Sequence, residues 1–121
     1  MALLSTVSVG RVGVHIDALP AVLPVKFALH SGSVVFRTVP GTKLHDATQD
    51  AVVAFQADHY GDIREPFGWS VLVRGVAQQI SDPSTLAAAR LLPLGSWALE
   101  GGSDRYMRLE PALVSGRRVV L

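Results

Sequence analysis

Trp69-Ser70-Val71-Leu72-Val73-Arg74-Gly75-Val76-Ala77-Gln78-Gln79-Ile80 is the longest strand-like run in the chain. Neither of its alternating faces is cleanly polar, so both are expected to be covered. Gly75 stands inside it, and a glycine within a strand marks a bend of the kind a barrel corner requires. Towards the N-terminus the pattern repeats in shorter form. Val12–Ile16 reads as a first strand, Asp17-Ala18-Leu19-Pro20 as a turn, and Ala21–Leu29 as a second strand in which Pro24 points to an edge or a bulge. Ser31-Gly32-Ser33 is a tight turn and Val34–Thr38 a third strand. Pro40-Gly41 then breaks the chain, Thr42 is placed to N-cap a short helix through Gln49, and Asp50 closes it before a fourth strand, Ala51–Ala57. Asp58–Phe67 is polar, holds Gly61 and Pro66, and reads as a loop.

Beyond the long strand, Asp82 and Pro83 form an N-cap and first helical position, giving a helix to about Leu92 that Pro93 stops. Leu94–Asp104 reads as irregular. Tyr106–Leu109 and Arg117–Leu121 read as two last strands, with Ser115-Gly116 kinking the approach to the second. The expectation is a mainly β fold of six to seven mostly antiparallel strands with two short helices. Short connections and the mid-strand glycine favour a barrel over an open sandwich.

The 121 residues amount to one domain, 1–121. Hydrophobic residues make up 49% and charged residues 17%. So few charges leave apolar surface to cover, which favours burial in a dimer. A formal net charge of +1 offers no broad basic field for nucleic acid. With no cysteine there is no disulfide, thiolate metal site or cysteine nucleophile, which fits a reducing, cytoplasmic setting. The apolar start, Met1–Val9, lacks a preceding Lys or Arg and ends at Gly10-Arg11, unlike a signal peptide. No apolar run has the length of a membrane span.

Chemistry concentrates in Phe36-Arg37-Thr38-Val39-Pro40-Gly41-Thr42-Lys43. A strand ends in Arg and Thr, a Pro-Gly break follows, and a helix begins with Lys. Arg37 can bind phosphate oxygens through paired hydrogen bonds, Lys43 adds a point charge, Gly41 allows close backbone approach, and a helix start exposes N–H groups. The segment is either a phosphate site or a strand–turn–helix with two solvated cations. Lys26 interrupts the apolar Leu23–Phe27 and must face solvent or find a partner. Trp69, with Ser70 beside it, either walls an aromatic ligand or caps the core. His15, His30, His45 and His59 are well separated and form no metal site, and no nucleophile elbow, P-loop or dinucleotide glycine fingerprint occurs.

Taken together, Gly10-Arg11-Val12-Gly13-Val14, Pro20-x-x-x-Pro24-Val25, Val35-Phe36-Arg37-Thr38 with Gly41-x-Lys43, Gly68-Trp69-Ser70-Val71-x-Val73-x-Gly75 and the closing Gly116-Arg117-Arg118 resemble, in that order, pyridoxamine 5'-phosphate oxidase-like proteins. The nearer likeness is to the small actinobacterial-type branch of that flavin-binding split-barrel superfamily. The resemblance implies a split β-barrel and a homodimer with two FMN sites at the subunit interface. It implies that the segment Phe36–Lys43 anchors the phosphate through Arg37, Thr38 and Lys43. It further implies that Lys26 lies near the flavin ring and that Trp69 and Ser70 approach it. Thr42 stands where the family usually has a second basic residue. An oxidoreductase acting on a small molecule is implied, without a named substrate, catalytic acid or base. A reductase using the deazaflavin F420 and a non-catalytic flavin carrier are alternatives on the same scaffold. No match to the C-terminal substrate segment of the longer vitamin B6 oxidases is evident.

Overall fold

The computed structural model describes residues 2–94 and 104–120. Among them are six strands and two α-helices, in the order β1 (Val9–Ile16), β2 (Leu19–His30), β3 (Ser33–Thr38), α1 (Lys43–Thr48), β4 (Ala51–Tyr60), β5 (Phe67–Gln79), α2 (Pro83–Arg90) and β6 (Arg105–Val120). The strands close into a barrel in the order β1-β2-β3-β6-β5-β4, every pairing antiparallel. This is the expected split-barrel class, with strand count at the lower of the two expected values.

Period-two alternation builds the interior. Val12 and Val14, Val25 and Phe27, Val34 and Phe36, Val53 and Phe55, Val71 and Val73, and Met107 and Leu109 all point inward and are buried. Phe27 and Phe55 meet edge to face with centroids 4.7 Å apart, the preferred geometry for two ring quadrupoles. Leu4, from a 3-10 turn at Ala2–Thr6, plugs the same core. A second cluster lies outside the barrel, where Val35, Ile80, Ala89 and Leu94 pack together. That cluster covers the outer side of β3, so the strand is buried on both faces.

Two tight hairpins join the first three strands. Ile16 pairs with Leu19 around Asp17-Ala18, and His30 pairs with Ser33 around Ser31-Gly32. All four loop residues have positive φ, the signature of the type I′ turn that suits right-twisted strands. The first turn is therefore shorter than the four residues expected, and Leu19 and Pro20 belong to β2. β1 also begins three residues earlier than expected, at Val9.

Two readings of the later chain are corrected. Asp58, His59 and Tyr60 continue β4 and Phe67 opens β5, pairing in the run Asp58↔Ser70, His59↔Trp69 and Tyr60↔Gly68. Asp58 is half-buried and His59 and Tyr60 are exposed at the barrel's end, so composition misread a strand as a loop; the true connection is 61–66. The two expected last strands are one continuous β6. Pro111 is accommodated because the β5/β6 register shifts there: Arg74 pairs with Leu113 and Gly75 with Pro111, leaving Ala112 extra. The irregularity lies at this bulge, opposite Gly75, and Ser115 and Gly116 pair regularly with Leu72 and Val71. The expected irregular stretch after Leu94 falls largely on 95–103, outside the described residues.

The outer face of β5 is open in a single chain, with Arg74, Val76 and Gln78 exposed. Both helices start as expected. Thr42 caps α1 by accepting from the His45 N–H at 3.2 Å. Asp82 caps α2, accepting from Ser84 Oγ at 2.7 Å, Thr85 N–H at 2.9 Å and Thr85 Oγ1 at 2.8 Å.

Two outcomes follow for stability. Ala18 sits at φ 65°, where a Cβ crowds the backbone. Ala18→Gly is expected to stabilise by about 0.5–1 kcal/mol, relief of strain outweighing the added freedom of the unfolded chain. Urea titration of both proteins measures it. The Ser84 hydroxyl, then the Thr85 N–H and hydroxyl, hold the Asp82 carboxyl at about 2, below its ordinary 3.8. The folded state then binds fewer protons than the unfolded one across that interval, so the cap's contribution is full above about pH 4 and lost as pH falls towards 2. The melting-temperature advantage of wild type over Asp82→Ala should shrink between about pH 5 and pH 2.

Candidate functional site

The β2/β3 ladder runs from His30↔Ser33 to Phe27↔Phe36 and stops. Continued, it would bring Val25 opposite Thr38. Instead β3 goes on pairing with β6 through Arg37↔Tyr106 and Thr38↔Arg105, while β2 stays with β1 through Lys26↔Val9. The strands fork, and the opening between them is a cavity of about 310 Å³. Pro24 lies on this unpaired reach of β2, where its missing N–H breaks no ladder bond to β3, which is the edge setting expected for it.

Polar groups enter the cavity from three sides: Lys26 from β2, Arg37 and Thr38 from β3, and Thr42 from the segment leading into α1, with Asp104 at the rim. Leu23, Val25, Leu44 and Leu94 supply apolar wall. Arg37 is held in place. One guanidinium nitrogen lies 3.1 Å from the Leu94 carbonyl and the other terminal nitrogen 3.7 Å from an Asp104 carboxylate oxygen, with both side chains largely buried. The carboxylate offsets part of the arginine's charge and fixes the plane of its fork. Cations beside the Thr38 hydroxyl and an apolar wall suit an anionic group attached to an apolar body.

The sequence-derived residues divide in this geometry. Lys26, Arg37 and Thr38 line one cavity together. Phe36 is fully buried in the barrel core, opposite Phe27 and Met107, and holds its strand from inside. Lys43 does not line the cavity; its Nζ reaches Asp17 at 3.4 Å on the open surface. Gly41 takes φ 85°, a turn conformation, and has open space around it. The six-residue α1 already spends the His45 N–H on Thr42. Trp69 is half-buried against the core at the start of β5. Ser70, on the other face, lines a separate cavity with Gln56, Leu72 and Arg117. Within one chain, Trp69 and Ser70 are thus apart from Lys26, Arg37 and Thr38.

Two contributors escaped the sequence reading. Asp104 sits sixty-seven positions after Arg37 in the chain, and no local spacing announces the pair. His45, read only as a residue outside any metal cluster, is buried with its Nδ1 2.7 Å from Thr38 Oγ1. Its spacing to Gln49, i to i+4 on a helix, was the available signal. Among the described residues no three metal-ligating side chains cluster, and no helix is long and apolar enough to cross a membrane.

Comparison with known proteins bears on the whole chain. An uncharacterised protein of Mycobacterium tuberculosis, Rv0080, is 38% identical over 125 residues, covering 99% of this chain and 80% of that protein. The solved structure of an FAD-binding protein from Mycobacterium smegmatis is 34% identical with a TM-score of 0.84, covering 99% of this chain and 91% of that one. A conserved Corynebacterium diphtheriae protein of unknown function is 29% identical with a TM-score of 0.78, over 99% and 91% of the two chains. The family model described as pyridoxamine 5'-phosphate oxidase matches residues 1–118. A match of that extent, on the same forked barrel, identifies the chain as a member of the pyridoxamine 5'-phosphate oxidase family.

Proposed function

We propose that this protein binds a flavin, FMN in the first instance, as a homodimer and serves as a flavin-dependent oxidoreductase on a small molecule. The observation that carries the reading is the fork between β2 and β3, where Lys26, Arg37 and Thr38 meet over one cavity. Their chemistry fits a phosphate: two cations, one of them a fork-shaped guanidinium, and a hydroxyl at Thr38, while the Thr42 hydroxyl is spent on the Val39 carbonyl at 2.6 Å. Lys43 can join them by leaving Asp17, since an ion pair between two such exposed side chains is worth only about 0–1 kcal/mol. A flavin supplies hydride and electron transfer when bound; the chain's own part is to hold and orient it.

A cavity of about 310 Å³ is at the small end for ligand sites. It would hold one end of a flavin, with the rest extending beyond a single chain. This is where the homodimer enters the reading. Past the bulge, β6 pairs only with β5 and is exposed on both faces, with Leu113 at 60% and Val120 at 74%. An apolar ribbon of this kind, one edge unpaired, is a surface that folded proteins cover. Ser70 and Arg117 line the cavity beside it, so a second copy packed there would bring Ser70 towards a ligand shared by two chains. The name of the Mycobacterium smegmatis protein makes FAD a competing ligand, and F420 remains an alternative on this scaffold.

Titration of purified protein with FMN, FAD and F420, followed by absorbance and fluorescence quenching, tests the reading. Arg37→Ala is expected to lose about 1.5–3 kcal/mol of flavin affinity, the worth of a charged hydrogen bond, and Lys43→Ala less. Failure of all three cofactors to bind would remove the flavin proposal. Sedimentation equilibrium should return twice the 12.9 kDa chain mass, and Leu113→Glu should shift the protein towards one chain. A wild-type monomer at micromolar concentration would remove the dimer.

A further inference from the structure

Thr38 is tied to a hydrogen-bond chain, buried at its start and half-buried beyond, that crosses three elements. Its Oγ1 is 2.7 Å from His45 Nδ1. On the far side of the ring, His45 Nε2 is 2.7 Å from Gln49 Nε2. Gln49 Nε2 in turn donates to Gln79 Oε1 at 3.1 Å. The chain thus begins on β3 at the cavity, passes along α1 and ends on β5 in the barrel wall.

The direction of each bond follows from the atoms. An amide nitrogen carries two protons and accepts none. One proton of Gln49 Nε2 goes to Gln79, and the other points at His45 Nε2, which must therefore present its lone pair. In a neutral imidazole the remaining nitrogen holds the proton. His45 Nδ1–H then donates to Thr38 Oγ1. The hydroxyl, its oxygen occupied by that donor, has its own proton left to give, and Thr38 lines the cavity.

We propose that His45 is a positioning residue, held by Gln49 and Gln79 as the Nδ1–H tautomer, that sets the Thr38 hydroxyl as a donor into the cavity and so favours an acceptor, such as a phosphate oxygen, at that point. This rests on the flavin-phosphate reading above and deepens it. The relay sets a preference: an acceptor at that point receives the Thr38 proton, which a group able only to donate, such as an ammonium, leaves unused. His45 touches no ligand and acts only through Thr38. The reverse polarity, with Thr38 donating to the ring, would require both glutamine amides to turn over.

Nitrogen-15 NMR of uniformly labelled full-length protein reads the tautomer directly, from the couplings between the ring nitrogens and the ring carbon-bound protons. The expected result is a protonated Nδ1 on His45; a protonated Nε2 overturns the proposal whatever the ligand does. FMN titration reads the consequence. Asn at position 45 offers an amide N–H near the place of Nδ1, whereas Gln offers one near the place of Nε2. His45→Asn should stay within about threefold of wild type, while His45→Gln and Thr38→Val each weaken FMN about tenfold and the double variant no further. If His45→Gln binds FMN as wild type does while Thr38→Val is weakened, the inference fails and the flavin site stands. If wild type binds no flavin, the reading beneath falls and this goes with it. Should His45→Gln not fold, the tautomer in the wild-type protein still decides.

Discussion

A backbone carbonyl occupies the place a side chain on residue 75 would need. A Cβ on Gly75 would overlap the Glu110 oxygen, and this close approach lets β5 and β6 change register without parting. Before the shift, residues 107–109 of β6 lie between β5 and β3 and complete the barrel wall. After it, β6 follows β5 alone. Three features depend on that point: the seating of β3, buried on both faces; the continuation of β3 along β6 as far as Thr38; and the exposed ribbon that leaves the barrel.

The candidate site opens where one edge of β3 loses its partner. Val34, Val35 and Phe36 pair with β2 on one edge and β6 on the other, whereas Arg37 and Thr38 keep only the β6 pairing, and β2 and β3 separate. The separation opens a space whose walls are the parts of a sheet that lost a neighbour. Arg37 and Asp104 are paired within it at 3.7 Å, both largely buried. Such a pair contributes little net stability, since desolvation offsets most of the attraction. Its effect is geometric, holding the guanidinium in one plane. Thr38 is held as firmly through His45. Two neighbouring residues on one strand end are thus each fixed by a partner brought in by the fold.

Much of the architecture was legible in local chemistry. The hairpin turns, the caps at Thr42 and Asp82, the edge character of Pro24 and the bend at Gly75 each follow from what a residue type permits its backbone to do. The misreadings share a cause. Asp58–Tyr60 were read as loop because their side chains are polar, yet an exposed strand end paired with β5 tolerates polar side chains. Ser115-Gly116 was read as a kink before a separate last strand; the ladder to β5 runs through both, and the irregularity is the bulge at Pro111 opposite Gly75. In both cases the partner strand decided, and the partner is remote in sequence. The family pattern likewise grouped Lys26, Arg37 and Thr38 with Lys43, Trp69 and Ser70, whereas one chain brings together only the first three.

By itself, the sequence determined the class: a mainly β chain of short antiparallel strands, turning near Asp17–Pro20 and Ser31–Ser33 and bending at a glycine, with a cation-bearing strand end before a Pro-Gly break. These are local consequences of side-chain branching, missing protons and absent Cβ atoms, and they survive in any context. Only the tertiary structure decided where β2 and β3 part, that Asp104 and Leu94 clamp Arg37, that His45 stands behind Thr38, and that Lys43 lies towards Asp17. Each of these joins groups that no periodicity relates, because which strands pair, and where a pairing stops, is set by competition among long-range contacts.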